Sequence, residues 1–125
     1  MLPIFFIRRD RYMWGQHLIL TARKCHPSSI RCINNIEMFS RSLVKNIDMV
    51  PYGPPQIVLF GEGDKRGYTL VQLIMTSNIV AHFVEATDDI HLDVFSCKEF
   101  NPKTVEYEVR RHFFPEEITS QVVMR

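Results

Sequence analysis

The sequence predicts an α+β fold: a two-layer α/β sandwich, with a largely antiparallel sheet and two helices on one face. Three observations carry that expectation. Two segments space their apolar residues by three and four, as one face of a helix requires. The strand-like runs are mostly consecutive, with no helix-length crossover between them, so neighbouring strands pair antiparallel. A single break at 50–55, with three Pro and a Gly, divides a helical half from a strand-rich half.

In chain order, 17–22 is a short β-type run. A helix is expected from Ser29 to about Ile47, where Ile33, Ile36, Phe39, Leu43 and Ile47 form one stripe and Ser28 or Ser29 serves as N-cap. After the proline break, 56–60, 68–75, 79–83 and 90–95 are rich in Val, Ile, Leu and Phe and read as strands. A second helix opens at Asn101-Pro102, a good cap followed by a good first residue. Val105, Val109 and Phe113 line it, Pro115 ends it, and 118–124 is a closing strand. The expected order is β-α-β-β-β-α-β. Alternation in the run after Ile90 turns Leu92 and Val94 to one face, with Asp93, Phe95 and Cys97 on the other. The run 68–75 is apolar on both sides except for Gln72, so the face away from the helices is expected to be covered by a second copy of the chain.

The 125 residues suit one domain, 1–125, and 46% hydrophobic content with nine Phe excludes a disordered chain. Fifteen basic against fourteen acidic residues leave a net charge of +1, which argues against nucleic acid bound by bulk charge. No apolar run approaches the roughly 20 residues that span a bilayer. The apolar opening 1–7 has its Arg residues after it, the reverse of a signal peptide. Three Cys without a C-x-x-C argue against a disulfide framework or zinc ribbon and suit the cytoplasm.

Most local motifs are bland. The glycines of 61–67 miss both phosphate-loop spacings and precede a strand, so they read as a plain connection. His82, Glu85, His91 and Asp93 lack metal-ligand spacing, and residues i and i+3 of a strand point to opposite faces; no metal is expected. Arg8, Arg9 and Arg11 read as a solvated edge. Thr76-Ser77-Asn78 is a good turn, and the G-x-S-x-G elbow of a serine hydrolase is missing. Cys97, ending a strand on the polar face, is either a small core residue or a chemical one.

Spacing adds more. Ser77 is followed five residues later by His82 and twenty later by Cys97, the latter within Asp93-Val-Phe-Ser-Cys97. This resembles the prokaryotic S-adenosylmethionine decarboxylase family, whose pattern is E-S-H-x-x-x-H-T-W-P-E and then D-V-F-T-C. Gly15-Gln-His17-Leu-Ile-Leu with Cys25, Gly67-Tyr-Thr69 and the tail Asn101-Pro102…Val105-Glu106-Tyr107 look like further family segments. The resemblance implies a two-layer sandwich that dimerises, and a chain that processes itself. The Ser77 hydroxyl would attack the Thr76 carbonyl to give an ester; elimination and hydrolysis would split the chain between Thr76 and Ser77 and leave a covalent pyruvoyl group (pyruvate) at position 77. That group would take the substrate amine as a Schiff base and serve as electron sink during decarboxylation in polyamine (spermidine) biosynthesis. Carried over by position, His82 is the acid/base of processing, Thr69 its hydroxyl partner, and Cys97 the proton donor to the product.

Thr69 and Ser77 are eight residues apart; along one extended strand that is roughly 26 Å at about 3.3 Å per residue. One chain therefore cannot join them, and the expected active site lies at a homodimer interface, pairing Thr69 and His82 of one copy with Ser77 and Cys97 of the other. The sequence also departs from the family pattern. Thr76 and Asn78 replace a Glu and a His beside the serine; Ala86 stands where a ribose-binding Glu is expected, and Gly63 where a stacking Phe is expected. Glu85, Phe60 and Trp14 are the substitutes available for substrate contact. Two alternatives follow from these departures: the same machinery acting on ornithine or arginine, or an unprocessed, non-catalytic homologue.

Overall fold

The computed structural model describes residues 13–125; the apolar opening 1–7 and the arginines at 8, 9 and 11 lie outside the described residues. The chain runs β1 (Gln16–Arg23), α1 (Pro27–Ile30), α2 (Ile33–Asn46), β2 (Gln56–Phe60), a 3-10 turn (Gly63–Lys65), β3 (Gly67–Ile74), β4 (Ser77–Val84), β5 (Asp89–Ser96), α3 (Pro102–Phe113) and β6 (Glu117–Met124). The six strands form one sheet in the order β2-β3-β4-β5-β1-β6, every neighbouring pair antiparallel. The α+β sandwich is therefore the architecture of the chain. The four runs read as strands between the long helices all form and pair each with its neighbour, so the order β-α-β-β-β-α-β, which counts only three of them, is one strand short.

The strand period decides which side chains are buried. Leu18, Leu20 and Ala22 of β1, Leu70 of β3, Ile79, Ala81 and Phe83 of β4, and Ile90, Leu92 and Val94 of β5 share one face and are buried. Ile36, Phe39, Leu43 and Val44 of α2 and Val105, Val109 and Phe113 of α3 close over them in a single core. Phe113 is its centre, with its ring centroid 4.9 Å from Phe39 and 5.3 Å from Phe83.

The first helix needs correction. It is interrupted at Arg31–Cys32, and the serines offered as caps lie within α1, whose N-cap is His26. The Asn35 side chain explains the break: its amide donates to Ser29 O and to His112 O, both at 3.0 Å, so a side chain satisfies a carbonyl that a continuous helix would have used. Asn101 caps α3 as the sequence indicates, its side chain accepting from the Lys103 amide at 2.9 Å.

Two buried groups belong to this scaffold. Glu108 is fully buried between α2 and α3; burial alone pushes its carboxyl up, but hydrogen bonds from Ser42, Arg111 and Asn46 outweigh that and hold it below the ordinary value. Burial, helped by Asp89 and Asp88, pushes the Cys25 thiol up to about 12, which makes it an inert core residue.

Candidate active site

Three of the residues singled out in the sequence, Thr69, Ser77 and His82, lie on the β3–β4 hairpin, divided between its two ends. Ile74 pairs with Ser77, so the turn is the two residues Met75-Thr76. Thr76 sits at φ 62°, in the left-handed region. For a β-branched residue this conformation costs on the order of 1–2 kcal/mol, and Gly or Asn would adopt it more easily. The segment after the prolines supports the turn from outside: the Met75 amide donates to Val50 O at 3.2 Å, and the Tyr52 amide to Leu73 O at 2.9 Å.

Ser77 is the first residue of β4, faces the helices and is 8% exposed. Its hydroxyl accepts the Cys97 amide at 3.4 Å. The Cys97 sulfur, just past the end of β5, lies 2.8 Å from the Thr76 hydroxyl oxygen. Asp48, Met49, Val50 and Lys98 close a small cavity of about 170 Å³ over these groups. Lys98 is anchored there, its ammonium donating to Asp48 O at 2.6 Å. The bond between Thr76 and Ser77 thus joins a strained turn residue to a nearly buried serine, with a thiol at the turn.

At the other end, Thr69 pairs across the hairpin with His82, and the Thr69 hydroxyl lies 3.1 Å from His82 Nδ1. That contact leaves the Nε2 of His82 for other work. Phe60, Gly61, Lys65, Gly67 and Tyr68 line a cavity of about 410 Å³ beside the pair. Gly67 is required here, because a Cβ would lie 1.6 Å from Phe83 O across the hairpin.

The estimate of one extended strand between Thr69 and Ser77 is overturned by the turn at Met75-Thr76. The Thr69–His82 pair lies five residue pairs along the hairpin from Ile74–Ser77, roughly 17 Å at about 3.4 Å per residue. His82 also points to the face opposite Ser77, five positions away on the same strand. Within one chain the two ends stay apart.

The residues offered for substrate contact are dispersed. Phe60, 57% exposed, borders the His82 cavity. Trp14 lies at the other end of the open sheet face, stacked on Phe95 with centroids 5.6 Å apart; Phe95 is the register partner of Asn78. Glu85 follows β4 and already pairs with Arg66 at 3.3 Å and Arg31 at 4.0 Å. Sequence reasoning missed the cluster around Phe95, where His17 meets Asp93 at 2.9 Å and the Arg125 guanidinium covers the ring at 4.8 Å. Its signal was available, since His17 and Asp93 both lie in the recognised motifs and share a face. The Thr76–Cys97 contact had no such signal, because these residues are 21 positions apart.

Among the described residues, no helix is long and apolar enough to cross a membrane, and no three His, Cys, Asp or Glu side chains converge as a metal site would need. A family model described as S-adenosylmethionine decarboxylase matches residues 16–125. Among solved structures, the chain resembles the crystal structure of the adenosylmethionine decarboxylase from Aquifex aeolicus VF5 with a TM-score of 0.75, at 19% identity, over 90% of this chain and 91% of that one. At that identity the likeness is one of fold. None of the curated proteins matches.

Proposed function

Because the chain belongs to the S-adenosylmethionine decarboxylase family, a family of carboxy-lyases, we propose that it decarboxylates S-adenosylmethionine with a pyruvoyl group made from its own Ser77, and so supplies aminopropyl groups for spermidine synthesis. The observation that carries this reading is the Thr76–Ser77 bond itself: a left-handed β-branched residue on one side, a nearly buried hydroxyl on the other, and the Cys97 thiol beside it.

The residues fit such a group. Ser77 follows directly on the carbonyl it would attack, and relief of the Thr76 conformation favours opening that bond. A pyruvoyl ketone at position 77 supplies a carbonyl for the substrate amine and a sink for the electron pair left when CO₂ departs. Cys97 then hands a proton to the carbon that lost CO₂ and regains one from solvent. His82, oriented through Nδ1 by Thr69, moves the proton of the attacking serine with its Nε2.

His82 does this in trans. The roughly 17 Å between the hairpin ends supports a homodimer in which an antiparallel second copy brings its Thr69–His82 end to the Ser77–Cys97 end of the first. Because Ser77 faces the helices and His82 the open face, the second copy would reach the Thr76–Ser77 bond around the turn end of the hairpin. Val58, Phe60 and Leu73, all exposed on the open face, offer apolar groups for the contact. Free thiols at Cys25, Cys32 and Cys97 suit a cytoplasmic protein.

A second substrate reading, ornithine or arginine on the same machinery, is favoured by the pairing of Glu85 with Arg31 and Arg66, which leaves it poorly placed for a ribose. Intact mass and CO₂ release test both readings. The expected result is two fragments, 1–76 and 77–125, the second blocked at its N-terminus, with CO₂ released from S-adenosylmethionine. Release from arginine or ornithine alone would move the assignment to the second reading. One uncut chain, inert with every amine, would overturn both and leave a non-catalytic homologue.

A further inference from the structure

Thr76 is more than the residue before the cleaved bond. Its hydroxyl oxygen lies 2.6 Å from Met75 O and 2.8 Å from the Cys97 sulfur. A hydroxyl has one hydrogen, and a carbonyl can only accept, so that hydrogen goes to Met75 O. What faces the sulfur is then a lone pair, and the contact closes only if Cys97 donates its S–H.

We propose that Thr76 is a positioning residue whose hydroxyl holds Cys97 as an S–H donor at the turn. The use of that proton rests on the pyruvoyl reading above; the contact itself does not. Two further features agree. A β-branched residue is kept in a left-handed turn position that Gly or Asn would fill with less strain, which is understandable if the side chain is needed there. The Cys97 amide is meanwhile tied to the Ser77 hydroxyl, so the thiol is fixed from both its backbone and its sulfur. After cleavage Thr76 would become a new C-terminus, and its carboxylate would add a second acceptor for the same S–H.

Alkylation by iodoacetamide tests this, because the reagent consumes the thiolate and a thiol held as a donor reacts slowly. The chain is made uncleavable by Ser77→Ala and given one accessible thiol by Cys32→Ser, since Cys32 is exposed and Cys25 is buried. Thr76→Val should then raise the rate of Cys97 alkylation at neutral pH about five-fold, the worth of one ordinary hydrogen bond. Thr76→Ser should stay close to the parent rate. Thr76→Gly, which removes the strain together with the hydroxyl, should be as fast as Val and guards against a valine chain that fails to fold. Equal rates in all four chains, or a serine chain as fast as the valine one, would overturn the proposal. Failure of self-processing would show separately, as an uncut mass in the chain that keeps Ser77.

Discussion

A Ser77→Ala chain remains in one piece and releases CO₂ from S-adenosylmethionine no faster than buffer does. Alanine has no oxygen to attack the Thr76 carbonyl, so neither the ester nor the ketone can form. The fold survives the change. The hydroxyl is nearly buried, but the one hydrogen bond it makes among the described residues is the long one from the Cys97 amide at 3.4 Å. Losing such a bond costs about 0.5–1.5 kcal/mol against a domain stability of roughly 5–15 kcal/mol. Denaturation midpoint, intact mass and release of labelled CO₂ from one preparation separate a dead site from an unfolded chain. A cut Ser77→Ala chain, or one that retains turnover, would remove the serine from its role.

Cys97→Ala divides the two halves of the chemistry. The thiol contacts Thr76 and lies at the opposite hairpin end from the Thr69–His82 pair of its own chain. Cleavage should therefore proceed nearly as in the parent, while turnover falls about 10²- to 10⁴-fold, the usual loss on removing a positioned acid. Mass spectrometry reads the first quantity and CO₂ release the second. Undiminished turnover would show that another group delivers the proton.

The sheet and the second helix were legible because their signals are local: the alternation of Leu92 and Val94 against Asp93 and Phe95, and Asn101-Pro102 opening α3. The break in the first helix was not, because it depends on Asn35 reaching Ser29 and His112, the latter 77 positions away. The separation of Thr69 from Ser77 was expected along one extended strand, without the turn at Met75-Thr76. Hairpin pairing shortens the distance from roughly 26 Å to roughly 17 Å and still leaves the pair out of reach. The motif positions of Ser77, His82 and Cys97 could be read from spacing. Neither the left-handed Thr76 nor its contact with Cys97 could, since the first follows from the two-residue turn between β3 and β4 and the second from the start of β4 pairing with the end of β5.

Sharing of one site between two copies is the claim on which the chemistry depends, and subunit mixing tests it. Chains carrying Ser77→Ala and chains carrying His82→Ala are prepared separately and then co-assembled. Alone, each should remain uncut. Together, the His82→Ala chain should be cleaved between Thr76 and Ser77, because its serine then meets the intact imidazole of its neighbour, while the Ser77→Ala chain stays whole. If the mixture remains uncut although the unmodified protein processes itself, or if His82→Ala cuts normally on its own, the imidazole does not act across the interface and the shared site is wrong.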